Sequence, residues 1–362
     1  MAGPNIIVIG ASAGGYEPLK TIAAGLPKDL DASIFVVWHM SPDVRGILPE
    51  VLGRYERFQA AHACDGEPIV PGRIYVAPPD RHLLVEKDCV RVTRGPKENR
   101  FRPAVDPLFR SAAYFHGPRV IGVILSGALD DGTSGLWTVK HRGGTAVVQS
   151  PLDAEVRSMP ENALHEVEAD YVVPAAEMPE LFIRLVNDRK DKPELVPDDH
   201  KTEGRIRAEI GIAKEDSALR DWIHDFGQLT PFTCPECHGV LARIEDGRLN
   251  RFRCHTGHAF SPDTLLTAVT EATENQLWDA VRGMDETIMM LNNIGDHFAE
   301  HNQPQLAGKY FLKAKEAEDR ADKIRDVLFS HEELSNETIR EEAAIEYVAQ
   351  ESERSRAADR PN

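Results

Sequence analysis

Short β-branched runs alternate with stretches of helical spacing across residues 5–186, and that alternation restricts the fold more than any other property of the chain. The runs at 6–10 (IIVIG), 33–38 (SIFVVW), 120–125 (VIGVIL) and 145–149 (TAVVQ) are almost continuously apolar. Strands that read this way are buried on both faces, as in parallel sheets. Helical patterns lie between them, around 16–24, 47–52, 106–115, 134–141, 160–165 and 178–186, with a last strand at 170–173. Strands separated by helices of about 10–15 residues build right-handed βαβ units. The expected fold class is therefore α/β, a doubly wound, mostly parallel sheet spanning 1–186. Three shorter runs at 73–77, 83–85 and 90–93, with turn residues between them, read as an antiparallel excursion.

Composition excludes some functions. Lys and Arg number 42 against 59 Asp and Glu, a net charge of −17. That is the wrong sign for a chain whose main task is gripping a phosphate backbone, so no nucleic-acid partner is expected. The start, MAGPNIIVIG, lacks the basic region of a signal peptide. No run approaches the roughly 18 apolar residues of a membrane span. A cytoplasmic location without an integral membrane segment follows as the expectation. Of five cysteines, three fall between 234 and 254, which suits a reduced compartment and a metal site better than a disulfide framework.

Beyond 186 the pattern changes. Residues 187–203 are dense in charge and poor in apolar side chains, and 187–230 is read as a solvated linker. A zinc-binding, zinc-ribbon-like module is expected at 231–262 and an α-helical hairpin at 263–330, turned at Pro304. Residues 331–362 form an acidic tail.

Gly10-Ala11-Ser12-Ala13-Gly14-Gly15 directly follows the first strand. Such a turn commonly holds a phosphate on a helix N-terminus, or is merely tight. Its spacing is not G-x-G-x-x-G, and the second strand ends in Trp38-His39 where a ribose-binding acid belongs. Gly10 to Gly14 does fit G-x-S-x-G, which sets a serine on a sharp strand-to-helix turn with its hydroxyl exposed. Ligands of a doubly wound sheet bind outside the carboxyl ends of its strands, so a partner base belongs at a neighbouring strand end. His39 is placed there. After VIGVIL come Asp130 and Asp131, which either cap the next helix or supply a carboxylate for the imidazole Nδ1–H. A single histidine or acid at a strand end is commonly structural. Three such groups at one sheet edge read as a Ser-His-Asp hydrolase.

IGASAGG, VVWHMSP, RPAVDPLFRSAA (102–113), LSGALDDGTSG and Gln149 with Met159-Pro160 occur in that order. Together, over 5–186, they resemble the catalytic domain of the chemotaxis protein-glutamate methylesterases, the CheB family. The resemblance implies Ser12 as nucleophile, His39 as base and Asp131 rather than Asp130 as the orienting acid, with no cofactor for catalysis. It implies demethylation of glutamyl methyl esters on a methylated chemoreceptor-type protein. Protein-glutamine deamidation by the same triad is the alternative, and a non-catalytic signalling module on the same fold is another. The family usually carries a receiver domain, and only eleven residues precede Ser12, so a methyltransferase or regulator acting in trans is expected. Ala13 stands where the family commonly has Thr, and Ala128-Leu129 where it has Met-Gly. The backbone amides of Ala13 and Ala128 still suit an oxyanion, since such donors do not depend on side-chain identity.

Cys234-x-x-Cys237 and Cys254-x-x-x-His258 flank a hairpin-sized spacer with Gly247 at its turn. One thiolate pair and one thiolate–imidazole pair offer a closed tetrahedral set for a structural zinc. His255 competes for the fourth place, and His258 is favoured. The zinc is expected to lie remote from Ser12. In the helical hairpin, Leu277, Val281, Met284, Ile288 and Leu291 form a stripe for a neighbouring helix, a receptor bundle or a homodimer partner.

Overall fold

The four continuous apolar runs stand side by side at the centre of one parallel sheet. The structure, a computed structural model, describes residues 5–39, 46–55, 58–188, 200–215, 227–331, 334 and 338–339. In chain order its first elements are β1 (Asn5–Ala11), α1 (Tyr16–Gly25), β2 (Ala32–Trp38), α2 (Leu48–Gly53), β3 (Gln59–His62) and β4 (Arg73–Val76). There follow β5 (His82–Val85), β6 (Val90–Thr93), α3 (Val105–His116), β7 (Val120–Ile124), α4 (Thr133–His141) and β8 (Thr145–Gln149). Then come α5 (Ser158–Glu166), β9 (Tyr171–Val173) and α6 (Met178–Asp188). The strand order of the seven-stranded sheet is β3-β4-β2-β1-β7-β8-β9, every pair parallel.

Alternate residues of β1 feed two apolar layers. Ile7 and Ile9 face α1, α2 and α6 through Leu19, Ile22, Leu52 and Phe182. Ile6 and Val8 face α3, α4 and α5 through Leu108, Leu136 and Met159. Each such side chain, fully buried, contributes about 1.5–3 kcal/mol. The chain leaves β1 for β2 on one side and later returns as β7 on the other. The sheet therefore has its switch point at the carboxyl end of β1, where Ser12 begins.

The antiparallel excursion is shorter than its sequence suggests. β5 and β6 do pair antiparallel, but β4 lies in the main sheet, parallel to β2 and to the edge strand β3. Ile74 and Val76 pack into one apolar layer and Tyr75 into the other, so this short run is buried on both faces between two parallel neighbours.

The 187–230 linker also needs correction. Its portions 189–199 and 216–226 lie outside the described residues, but α7 (His200–Ala213) is a packed helix. Ile206, Ile210 and Ala213 pack with Leu84 of β5, while Ile212 packs with Ala242 and Ile244 of the cysteine-rich segment. Within this helix the charge of Glu209 is partnered, 1% exposed among arginines.

The cysteine-rich segment is a four-stranded antiparallel sheet of β10 (Gln228–Thr233), β11 (Val240–Asp246), β12 (Leu249–Cys254) and β13 (Ala259–Phe260). It belongs to the same compact unit as the parallel sheet, up to Leu265. The second unit, from Leu266, contains most of α8 (Pro262–Glu300) and all of α9 (Pro304–Phe329). Contacts of Phe298 with Tyr310, Asp285 with Arg325 and Trp278 with Phe329 make the two helices antiparallel. Ala307, Ala314, Ala321 and Leu328, all buried and spaced by seven, form the seam of α9. On α8 the expected stripe is the covered face, with Val281 buried. The tail beyond 331 is almost wholly outside the described residues.

Candidate active site and metal centre

Ser12 follows β1, His39 follows β2 and Asp131 lies in the segment after β7, so three adjacent strands deliver the three groups to one edge. The turn at Ser12 is held from several sides. Its backbone N–H donates to the Ser126 carbonyl at 3.0 Å, and its carbonyl accepts from Gly15 N at 3.0 Å and Trp38 Nε1 at 2.9 Å. Gly14 adopts φ +70°, and a Cβ there would meet Ser126 Oγ at 2.5 Å. A Cβ at Gly127 would meet Ser12 Cβ at 2.8 Å, so glycine lets the loop after β7 pass under the serine.

His39 Nε2 lies 2.8 Å from Asp131 Oδ2. The expected Nδ1 contact is thus replaced by one through Nε2. An ionised carboxylate only accepts, so neutral His39 carries its proton on Nε2 and leaves Nδ1 as the acceptor. Nδ1 is buried and has no hydrogen-bond partner among the described residues. Phe101 stacks on the imidazole, with ring centroids 3.7 Å apart and planes 8° from parallel, which fixes the plane of the ring.

Asp131 is fully buried and richly supplied with donors. Oδ2 also accepts from Val105 N at 2.6 Å, while Oδ1 accepts from Asn99 Nδ2 at 2.9 Å and Asp106 N at 3.4 Å. The first turn of α3 therefore directs its backbone N–H groups at this carboxylate. Asp106, beside it, accepts from Asn99 Nδ2 and Gly135 N. Burial and the neighbouring Asp131 push the Asp106 carboxyl up to about 7. Asp130 turns elsewhere, to Ser261 Oγ at 2.7 Å, and burial raises its carboxyl to about 8.

A cavity of about 570 Å³ opens over Ser12, lined also by Ala13, Trp38, His39, Lys97 and Phe101. Ala13 is exposed in its wall. Because a peptide is planar and trans, the bonds that hold the Ser12 carbonyl also fix the Ala13 N–H on its opposite side. Ala128 does not line this cavity. Its neighbours are tied to the start of α5 instead: Met159 N donates to Gly127 O, Ser158 Oγ accepts from Leu129 N, and Asn162 Nδ2 donates to Leu129 O. Sequence reasoning missed Asn99, Phe101 and Trp38. The indole lies within the family-like segment VVWHMSP and Phe101 directly precedes RPAVDPLFRSAA, but nothing local marks Asn99.

Comparison with known proteins bears directly on this edge. The CheB methylesterase family profile matches residues 7–182. A Leptospira interrogans protein provisionally named protein-glutamate methylesterase/protein-glutamine glutaminase is 42% identical over 180 residues, 49% of this chain and 93% of that protein. The chain belongs to the CheB methylesterase family. The protein-glutamate methylesterase/protein-glutamine glutaminase of Thermotoga maritima is 39% identical over 186 residues, 50% of this chain and 54% of its own. A crystal structure of the Thermotoga maritima CheB methylesterase catalytic domain covers 51% of this chain and 100% of its own at 38% identity, with a TM-score of 0.49. The family match thus ends at the parallel sheet and its helices, and the cysteine-rich segment lies outside it.

In that segment Cys234, Cys237, Cys254 and His258 bring their ligand atoms within 4.8 Å of one another. Cys237 and Cys254 sulfurs are 3.6 Å apart, and His258 Nδ1 is 3.6 Å from Cys254 and 3.8 Å from Cys234. A tetrahedral zinc with Zn–S of about 2.3 Å needs sulfur separations of about 3.8 Å, so the donor set fits. His255 is exposed and packs over Gly239, outside the set.

The segment that carries the cluster is bonded to a loop that lines the cavity over Ser12. Ala259, next to His258, exchanges backbone bonds with the loop that lines the cavity: Asn99 N donates to its carbonyl at 2.8 Å and its N–H donates to Lys97 O at 3.2 Å. Glu236, inside the first Cys pair, meets Lys97 Nζ at 3.1 Å. Below this loop lies a buried ionic network. Glu98 pairs with Arg110 of α3 and Arg253 of β12, and Glu209 of α7 pairs with Arg110, Arg251 and Arg253. Asp246 completes it with Arg251 and Arg205. Burial alone would raise the Glu98 carboxyl, but Arg110 and Arg253 outweigh it and hold it down to about 2.

Proposed function

We propose that the chain is a protein-glutamate methylesterase in which Ser12 attacks, His39 relays the proton and Asp131 orients the imidazole. The observation that carries this reading is the 2.8 Å contact of His39 Nε2 with buried Asp131, in a ring that shares a cavity with Ser12. The Ser12 hydroxyl proton passes to His39 Nδ1 as Oγ bonds to the ester carbonyl carbon. Asp131 stabilises the imidazolium so formed. The Ala13 N–H donates to the developing oxyanion. Nδ1–H then protonates the departing methoxide, giving methanol and an acyl-Ser12. Water, deprotonated by Nδ1, attacks the acyl carbon, and Oγ leaves with that proton, releasing the glutamate side chain.

The substrate class follows from the family: a methylated chemoreceptor-type protein, with glutamine deamidation as a second reading by the same steps with ammonia in place of methanol. Labelling with a fluorophosphonate separates an enzyme from a binding module. One equivalent of phosphonyl adduct on Ser12, lost in His39→Ala, is expected; absence of any adduct at saturating probe contradicts catalysis. We further propose that Cys234, Cys237, Cys254 and His258 hold a structural zinc. Four protein ligands close the coordination sphere, so the metal would supply binding energy for folding and no chemistry at Ser12.

A further inference from the structure

Asn99 is gripped on two sides by different parts of the chain. It sits at φ 50° and is 4% exposed. Its amide nitrogen gives one hydrogen to Asp131 Oδ1 and one to Asp106 Oδ2, both at 2.9 Å. Its Oδ1 accepts from the Ser261 N–H at 3.0 Å and lies 3.3 Å from Thr264 Oγ1. Ser261 and Thr264 form the capping turn of α8: Thr264 N donates to Ser261 Oγ at 3.0 Å, and Ser261 N to Thr264 Oγ1 at 2.9 Å. That turn directly follows β13 and the cysteine cluster.

A side-chain amide has a donor end and an acceptor end. Only one orientation aims its hydrogens at two carboxylates; the reverse would set an oxygen against both. The donors at Ser261 and Thr264 select the productive orientation, and the Ala259 carbonyl holds the Asn99 backbone beneath it. The Leptospira relative is matched over 93% of its length by 180 residues, which leaves no room there for such an extension.

We infer that Asn99 is a positioning residue through which the capping turn of α8 sets the Asp131 carboxylate, so that the cysteine-rich extension is part of the catalytic geometry. This rests on the methylesterase reading for its consequence in turnover, but the coupling itself is readable without turnover. Asn99→Gly removes the amide while keeping the left-handed backbone, and Thr264→Val removes one donor of the capping turn. Thr264→Ser keeps it. Two readouts are taken on the full chain: methanol release, and the downfield NMR resonance of the His39 Nε2–H. Displacement of reacting groups by about 1 Å costs on the order of 100-fold. Asn99→Gly should approach that loss in kcat with KM little changed, Thr264→Val should fall between it and the parent, and Thr264→Ser should restore the parent value. The Nε2–H resonance should shift in the same order. A resonance unmoved in both Asn99→Gly and Thr264→Val overturns the coupling. So does a shifted resonance with parental kcat. An inactive parent overturns the methylesterase reading instead, while the resonance still decides whether the turn acts on His39 through Asp131.

Discussion

The parallel sheet and the small cysteine-rich sheet belong to one unit yet are stabilised by different means. The first buries apolar layers on both faces, with Ile6 to Ile9 of β1 at most 1% exposed. The second has an apolar cluster of Ile212, Ala242 and Ile244, and beside it buried Arg251, Arg253 and Asp246. Hydrophobic burial is spread over many small, non-directional contacts, none of which needs a particular partner atom. Ionic pairs and metal ligands do not: removing one partner strands the others in a low-dielectric interior. The small sheet is therefore the conditional half of the unit, and it is the half that supports the Asn99 loop.

The widest separation between the two should come from metal removal. Structural zinc in small modules contributes about 10–16 kcal/mol of apparent binding energy. Chelation, or Cys237→Ser, should thus unfold 228–260 while the parallel sheet survives. Hydrogen exchange should show protection lost in β10–β13 and kept in β1, β2 and β7. Equal loss in both sheets would break the comparison. The ionic network comes next. Arg253→Met leaves Glu98 and Glu209 short of a partner and should cost about 3–5 kcal/mol, against little for an exposed pair such as Arg282 with Asp279. Denaturation of the two variants side by side measures this.

Acid supplies the gentlest test. The Glu98 carboxyl is depressed from an ordinary 4.5 to about 2, so the stability it contributes is present above about pH 4.5 and is lost as pH falls toward 2. Glu209 shifts the same way, because three arginines outweigh its burial. Protection of β11 and β12 should therefore decline over that acid window. A decline near neutrality would assign the docking to other groups.

These contrasts also explain what could be read from sequence. The central strands announce themselves because burial on both faces demands continuous apolar runs, and Ser12, His39 and Asp131 follow from where those runs end. The cluster of Cys234, Cys237, Cys254 and His258 was legible because metal-binding thiolates need fixed spacing. Failures fall where charge is buried. His200–Ala213 reads as part of the linker because the charge-dense stretch 187–203 runs into it, yet its Arg205 and Glu209 are consumed in the buried network. β4 looked like part of a hairpin because its parallel partners, β2 and the polar edge strand β3, are distant or weakly patterned. Asn99 and the choice of imidazole nitrogen depend on which atoms meet across long sequence separations, and no local pattern records that.

Methanol release from a methylated chemoreceptor by the full chain, run beside Ser12→Ala, tests the central claim most directly. The account predicts stoichiometric methanol from the parent and turnover lowered by about 1,000-fold or more in Ser12→Ala, as for serine triads generally. Methanol released at the parental rate by the Ser12→Ala protein would contradict it.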